Sequence, residues 1–94
     1  MSQAAQGNFA NITGVAVEQI ISARSSILYR IVASNTDVAA QTILVENGAT
    51  DEIITITLQP NENGTFEFNC ECPLGIRITP SDAQLDIAVV YSER

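Results

Sequence analysis

Glu52-Ile53-Ile54-Thr55-Ile56-Thr57-Leu58-Gln59-Pro60-Asn61-Glu62-Asn63-Gly64-Thr65-Phe66-Glu67-Phe68-Asn69-Cys70 reads as strand, turn, strand. In an extended chain successive side chains point to opposite faces. Ile54, Ile56 and Leu58 therefore share one face, and Thr55 and Thr57 take the other. Pro60 to Gly64 gathers turn formers: proline presets φ, and asparagine and glycine tolerate positive φ. Beyond it Phe66, Phe68 and Cys70 point inward while Thr65, Glu67 and Asn69 point outward. Each strand is half-buried, as antiparallel sheets allow.

Working outward, the same punctuation recurs. Gly14 to Ile21 is a first run whose alternation slips near Gln19, where a bulge or bend is expected. Arg24-Ser25-Ser26 is a turn. Ile27 to Ala33 follows, with Ile27, Tyr29, Ile31 and Ala33 on one face and Leu28, Arg30 and Val32 on the other. Both faces carry apolar groups, so this strand is expected to be central or covered on both sides. Ser34-Asn35-Thr36-Asp37 ends it. Gln41 to Glu46 closes on Asn47-Gly48, a good turn signal. Ile76 and Ile78 point in, with Arg77 and Thr79 out. Leu85, Ile87, Val89 and Tyr91 point in, with Asp86, Ala88 and Val90 out.

The pattern predicts an all-β fold: a single small antiparallel β-sandwich or barrel of about seven strands, wired as a jelly roll or like an immunoglobulin domain. No segment shows a helical period long enough for a βαβ crossover. Residues 1–8 are small and polar and read as a flexible arm, with residues 9–94 as the domain. Arg77 is expected to pair across strands with Asp86 or Glu67.

Composition narrows the function. The chain has 94 residues, 46% of them hydrophobic, and a net charge of −7. That length supports one small domain with little margin. The four arginines are scattered and lysine is absent, so nucleic acid and anionic membrane surfaces are not expected partners. No apolar run approaches the roughly 20 residues of a membrane span. The N-terminus lacks the basic start and apolar segment of a secretory signal, which fits synthesis in a reducing cytoplasm.

Catalysis is disfavoured. Without histidine the commonest general base is missing, and no Ser-His-Asp or Cys-His arrangement can be built. Without lysine, Schiff-base chemistry and phosphate-loop motifs are missing too. The acids sit at turns or on outward faces, where water keeps them ionised. Cys70-Glu71-Cys72 places two thiols on one strand face about 6.5 Å apart, near the upper limit for a disulfide, and lacks two zinc ligands within one chain, which only a site shared around a symmetry axis could supply. Two small core residues is the favoured reading. Asp51, Glu52 and Asp82 form no spaced calcium loop. Asn11-Ile12-Thr13 and Asn63-Gly64-Thr65 match the glycosylation acceptor pattern by chance in a chain without a signal. Tyr29 and Tyr91 are expected to be core residues with hydroxyls at the rim. No enzyme activity, cofactor or metal is expected.

Ile27-Leu28-Tyr29-Arg30-Ile31-Val32-Ala33-Ser34-Asn35-Thr36, followed by Thr42-Ile43-Leu44-Val45-Glu46-Asn47 and a closing Val89-Val90-Tyr91, resembles small structural proteins of tailed bacteriophages. The resemblance spans roughly residues 12–92, although this chain is compact where such proteins carry a longer Gly-rich stretch after the third strand. It implies a capsid decoration (cement) protein on the outside of a virion. The implied partners are the major capsid protein and further copies of the same chain, with a trimer favoured. A tail, fibre or receptor-binding subunit is the alternative. A carbohydrate-binding module is weakened by the absence of Trp and the scarcity of exposed rings. Candidate contact residues are Gln6, Asn8 and Phe9 at the arm, and Leu28, Arg30 and Val32 on the second strand.

Overall fold

The computed structural model describes residues 8–94. They form eight strands: β1 (Asn8–Ile12), β2 (Gln19–Ser22), β3 (Ser26–Asn35), β4 (Gln41–Asn47), β5 (Asp51–Leu58), β6 (Asn63–Cys72), β7 (Ile76–Pro80) and β8 (Leu85–Glu93). These build two four-stranded antiparallel sheets, ordered β1-β8-β3-β6 and β2-β7-β4-β5. The pairing is nested: β1 lies on β8, β2 on β7, β3 on β6 and β4 on β5. One long hairpin, rolled until its halves stack, gives this order. The β3–β8 and β4–β7 ladders complete the two sheets.

The described residues are thus all-β and compatible with a sandwich, with eight strands in place of seven and with sheets that do not close into a barrel. The extra strand is β1, whose residues precede the first run read from the sequence. Of Gly14 to Ile21 only Gln19 onward is strand: Asn8–Ile12 runs along β8, the chain turns through Gly14 at φ 71°, and pairing resumes at Gln19 on β7 in the other sheet. The slip expected near Gln19 is a register shift between Ile20 and Ser22. Of the arm expected over residues 1–8, residues 1–7 lie outside the described residues, and Asn8 opens β1.

One apolar cluster joins the sheets. Ile12, Leu28, Ile31, Ala33, Cys72, Leu85, Ile87 and Val89 come from the first sheet; Ile43, Val45, Ile56, Leu58, Ile76 and Ile78 come from the second. No aromatic ring is fully buried; Phe66, Phe68 and Tyr91 pack at the margin. Burying each aliphatic side chain contributes about 1.5–3 kcal/mol before the entropy of ordering the chain is subtracted. The alternation read for β6, β7 and β8 matches the faces observed.

β3 departs from simple alternation. Between Leu28 and Arg30 it advances two residues while β8 advances one and β6 advances three. The bulge carries Tyr29 and, across the ladder, Asn69 at φ 50°. It reverses the face: Leu28 points inward before it, and Ile31 and Ala33 point inward after it. Leu28 therefore does not share an outer face with Arg30 and Val32.

Polar side chains fasten both ends of the sandwich. Asn35 is 1% exposed. Its Nδ2 donates to the carbonyls of Ala39 (3.0 Å), Leu58 (3.2 Å) and Gln59 (3.1 Å), and its Oδ1 accepts from the Asp37 amide (2.9 Å). It ties the turns after β3 and β5 together. At the opposite end Ser22 Oγ donates to Glu93 Oε2 (2.7 Å), and Ser26 Oγ lies 2.8 Å from Ser22 Oγ. Arg77 lies in a different sheet from β6 and β8, so it reaches neither Asp86 nor Glu67; it pairs with Glu18 at 3.1 Å.

Candidate functional site

The ladders of the first sheet place its outward side chains in rows. Phe9, Val90, Arg30 and Glu67 stand side by side across β1, β8, β3 and β6. The next row is Asn11, Ala88, Val32 and Thr65, and the third is Asp86, Ser34 and Asn63. An apolar strip crosses this face from Phe9 on edge strand β1 to Val32 on β3. Phe9 is 75% exposed and Val32 42%, with the partly exposed Val90 and Ala88 between them. Polar groups flank it. Arg30 Nε lies 3.2 Å from Glu67 Oε2, and Ser34 Oγ donates to Asn63 Oδ1 at 2.6 Å. An exposed apolar patch flanked by hydrogen-bonding groups suits a protein-binding face.

Two open grooves mark the face. One, of about 630 Å³, lies over Val32 and Ala88 and is bordered by Asn11, Ser34, Asn63 and Asp86. The other, of about 510 Å³, lies between Phe9, Tyr29, Arg30, Asn69 and Val90. The β3 bulge shapes the second groove, because Tyr29 and Asn69 are among the residues left unpaired in the ladder.

The outer face of the second sheet is different. Its rows run Ile20, Arg77, Glu46, Glu52, then Thr79, Leu44, Thr55, then Thr42, Thr57. Threonine and charge dominate, which is a solvated surface.

Phe9, Arg30 and Val32 thus come together on one face. Asn8 sits at its edge, exposed and opposite Tyr91. Leu28 is fully buried and offers no surface to a partner; the bulge at Tyr29 is the reason. Gln6 lies outside the described residues. Sequence reading did not include Ala88 and Val90. Their signal was two apolar residues at outward positions of a strand whose inward positions were already filled.

The other motifs fall elsewhere. Cys70 and Cys72 are free thiols on the inner face of β6. Burial, reinforced by the neighbouring Cys70, pushes the Cys72 thiol up to about 12. It is protonated at neutral pH, so it is neither a nucleophile nor a ready metal ligand. Asp51 and Glu52 open β5 at one end of the sandwich, while Asp82 caps the β7–β8 turn at the other, accepting from the Gln84 amide at 2.8 Å. Tyr29 reaches Ser92 Oγ at 3.3 Å. Among the described residues no three His, Cys, Asp or Glu side chains gather where one ion could bridge them. No family model matches the chain, and no match to a curated protein or a solved structure reaches significance.

Proposed function

We propose that this chain is a non-catalytic structural subunit of a bacteriophage virion, a capsid decoration protein that docks the outer face of β1-β8-β3-β6 onto neighbouring major capsid subunits. One observation carries the reading: the uncovered apolar strip that runs from Phe9 on edge strand β1 through Val90 and Ala88 to Val32, flanked by polar groups. A chain of this charge holds such a face in water at a cost that docking removes. The nested wiring, in two sheets of four, supports a double-sheet jelly roll over an immunoglobulin domain. Viral capsid domains use that architecture, which supports the reading by analogy. The sequence resemblance supports it too. A protein that binds only assembled shells stabilises them by mass action. The net charge of −7 helps keep a coated particle dispersed.

The test uses purified empty phage shells. Added protein is expected to saturate at on the order of hundreds of copies per particle and to raise the temperature at which shells come apart. Shells that neither bind it nor gain heat resistance overturn the proposal. A virion stoichiometry of a few to dozens of copies assigns the chain to the tail instead.

A further inference from the structure

Four strands edge the two sheets: β1 and β6 in one, β2 and β5 in the other. An edge strand presents unpaired backbone N–H and C=O groups, and native proteins blunt such edges with short strands, bulges and charges. Three of these edges are blunted. β1 and β2 have five and four residues, and β2 is also bulged. β6 is bulged near Asn69 and carries Glu67 and Glu71 outward.

β5 is not. Its register shift and its acids, Asp51 and Glu52, lie together at its start. From Ile54 to Leu58 it pairs residue for residue with β4, so its free edge is regular. Ile53 to Gln59 contains no charge, no proline and no glycine. That composition favours strand addition. Ile54 stays 44% exposed at the lip of the core. β6, the next strand in the chain, leaves Phe66 and Phe68 half-buried on its inner face.

We propose that β5 is a self-pairing edge, through which two copies of this chain join antiparallel about a twofold axis into one continuous eight-stranded sheet. The inference is independent of shell binding. Face and charge choose the register. Pairing must keep inward residues opposite inward ones. Centring on Ile56, the middle of the regular segment, does this: Ile54 faces the partner's Leu58, and Thr55 faces the partner's Thr57. Like-with-like pairs form on both faces, an apolar one inside and a threonine pair outside. The two Glu52 side chains then stand about 27 Å apart along the strands, at 3.4 Å per residue. That exceeds a Debye length of about 8 Å, so their repulsion is screened. Each copy has one β5, so the twofold contact closes at two and does not propagate. The mode is a dimer, in place of the trimer that the resemblance implies.

Sedimentation equilibrium of the full chain tests this. With so small an interface, the mass-average is expected to rise from 10.1 kDa toward twice that value only as concentration approaches about 1 mM. Ile54→Lys, an inward-pointing charge at the edge, is expected to weaken association at least tenfold. Two exposed double variants keep the test valid if that variant misfolds. Thr55→Glu/Thr57→Glu sets like charges opposite each other and is expected to weaken association several-fold. Thr55→Lys/Thr57→Glu sets opposite charges there and is expected to restore or exceed the wild-type affinity. A chain that stays monomeric at that concentration, a trimer, or association indifferent to all three variants overturns the proposal, whatever shells do.

Discussion

Leu28 and Ile31, three residues apart on one strand, are both fully buried in the same core. Regular alternation would put them on opposite faces. The extra residue between Leu28 and Arg30, relative to β8, makes their common burial possible. Truncating either side chain should leave a cavity and cost about 2–5 kcal/mol, whereas Val32→Ala, on the outer face, should cost under about 1 kcal/mol. Urea unfolding of the three variants checks this. A small loss for Leu28→Ala would mean that the bulge lies elsewhere.

The same bulge marks where sequence reading reaches its limit. β6, β7 and β8 were legible because each buries one face against the opposite sheet, so period two survives in their residue types. β3 was not, because both its faces are apolar and nothing in Leu28-Tyr29-Arg30 signals an inserted residue. β1 was missed because Asn8-Phe9-Ala10-Asn11-Ile12 spaces its large apolar residues three apart; its ladder with β8 holds it, and that contact spans most of the chain. Strand order is invisible for the same reason, and with it the true partner of Arg77. On the candidate face Phe9, Arg30 and Val32 were readable as outward residues. That Val90 and Ala88 stand beside them depends on the β3–β8 pairing.

Asn35 should be the least replaceable polar residue described. Its amide, with two hydrogens, reaches three backbone carbonyls from two separate turns, one hydrogen being shared. Asn35→Ala strands those acceptors and removes the acceptor for the Asp37 amide. Leaving a buried polar group unpaired costs about 1–3 kcal/mol, so a loss of at least about 2 kcal/mol is expected. Asn35→Asp keeps the Asp37 contact but supplies no donor, and should be no better at neutral pH. Hydrogen exchange should show residues 36–40 and 59–62 loosening together. Independent behaviour of the two turns would refute the clasp.

Gly75 and Gly14 both hold positive φ, 105° and 71°. A Cβ at Gly75 would run into the Ser22 carbonyl oxygen, which is backbone and cannot move aside cheaply. A Cβ at Gly14 would meet nothing within 4 Å. Gly14→Ala should therefore cost only the left-handed backbone penalty, about 1–2 kcal/mol. Gly75→Ala adds a backbone displacement at the β6–β7 turn and should lower the melting temperature distinctly more. Equal losses would show that conformation alone decides both sites.

Cys72 predicts an alkaline limit to stability. Its folded value of about 12 lies above the ordinary 9.0. Between these values the folded state binds the proton more tightly than the unfolded state. The thiol's contribution is thus intact below pH 9 and declines as pH rises toward 12. The urea midpoint of the wild type should fall over that window more steeply than that of Cys72→Val, and the two curves should run parallel from pH 6 to 8. The native protein should also resist alkylation at Cys72 near pH 8, with Cys70 reacting first because it is only half-buried. Parallel curves throughout, or rapid alkylation of Cys72, would show that the thiol is not sequestered.

Docking should fail through surface changes that spare the fold. Phe9 and Val32 project from the first sheet into solvent, so Phe9→Ser and Val32→Asp remove no core contact, and each should shift stability by under about 1 kcal/mol. On a docked face the same changes bury a hydroxyl or a carboxylate in an apolar patch without a partner, which costs several kcal/mol for the charge. Shell binding should drop by tenfold or more for Val32→Asp and by less for Phe9→Ser. Thr42→Asp, on the outer face of the second sheet, should leave binding unchanged. Retained binding by Val32→Asp, with loss by Thr42→Asp, would move the docking surface to the opposite side of the sandwich. Circular dichroism melts of each variant separate lost contact from lost structure.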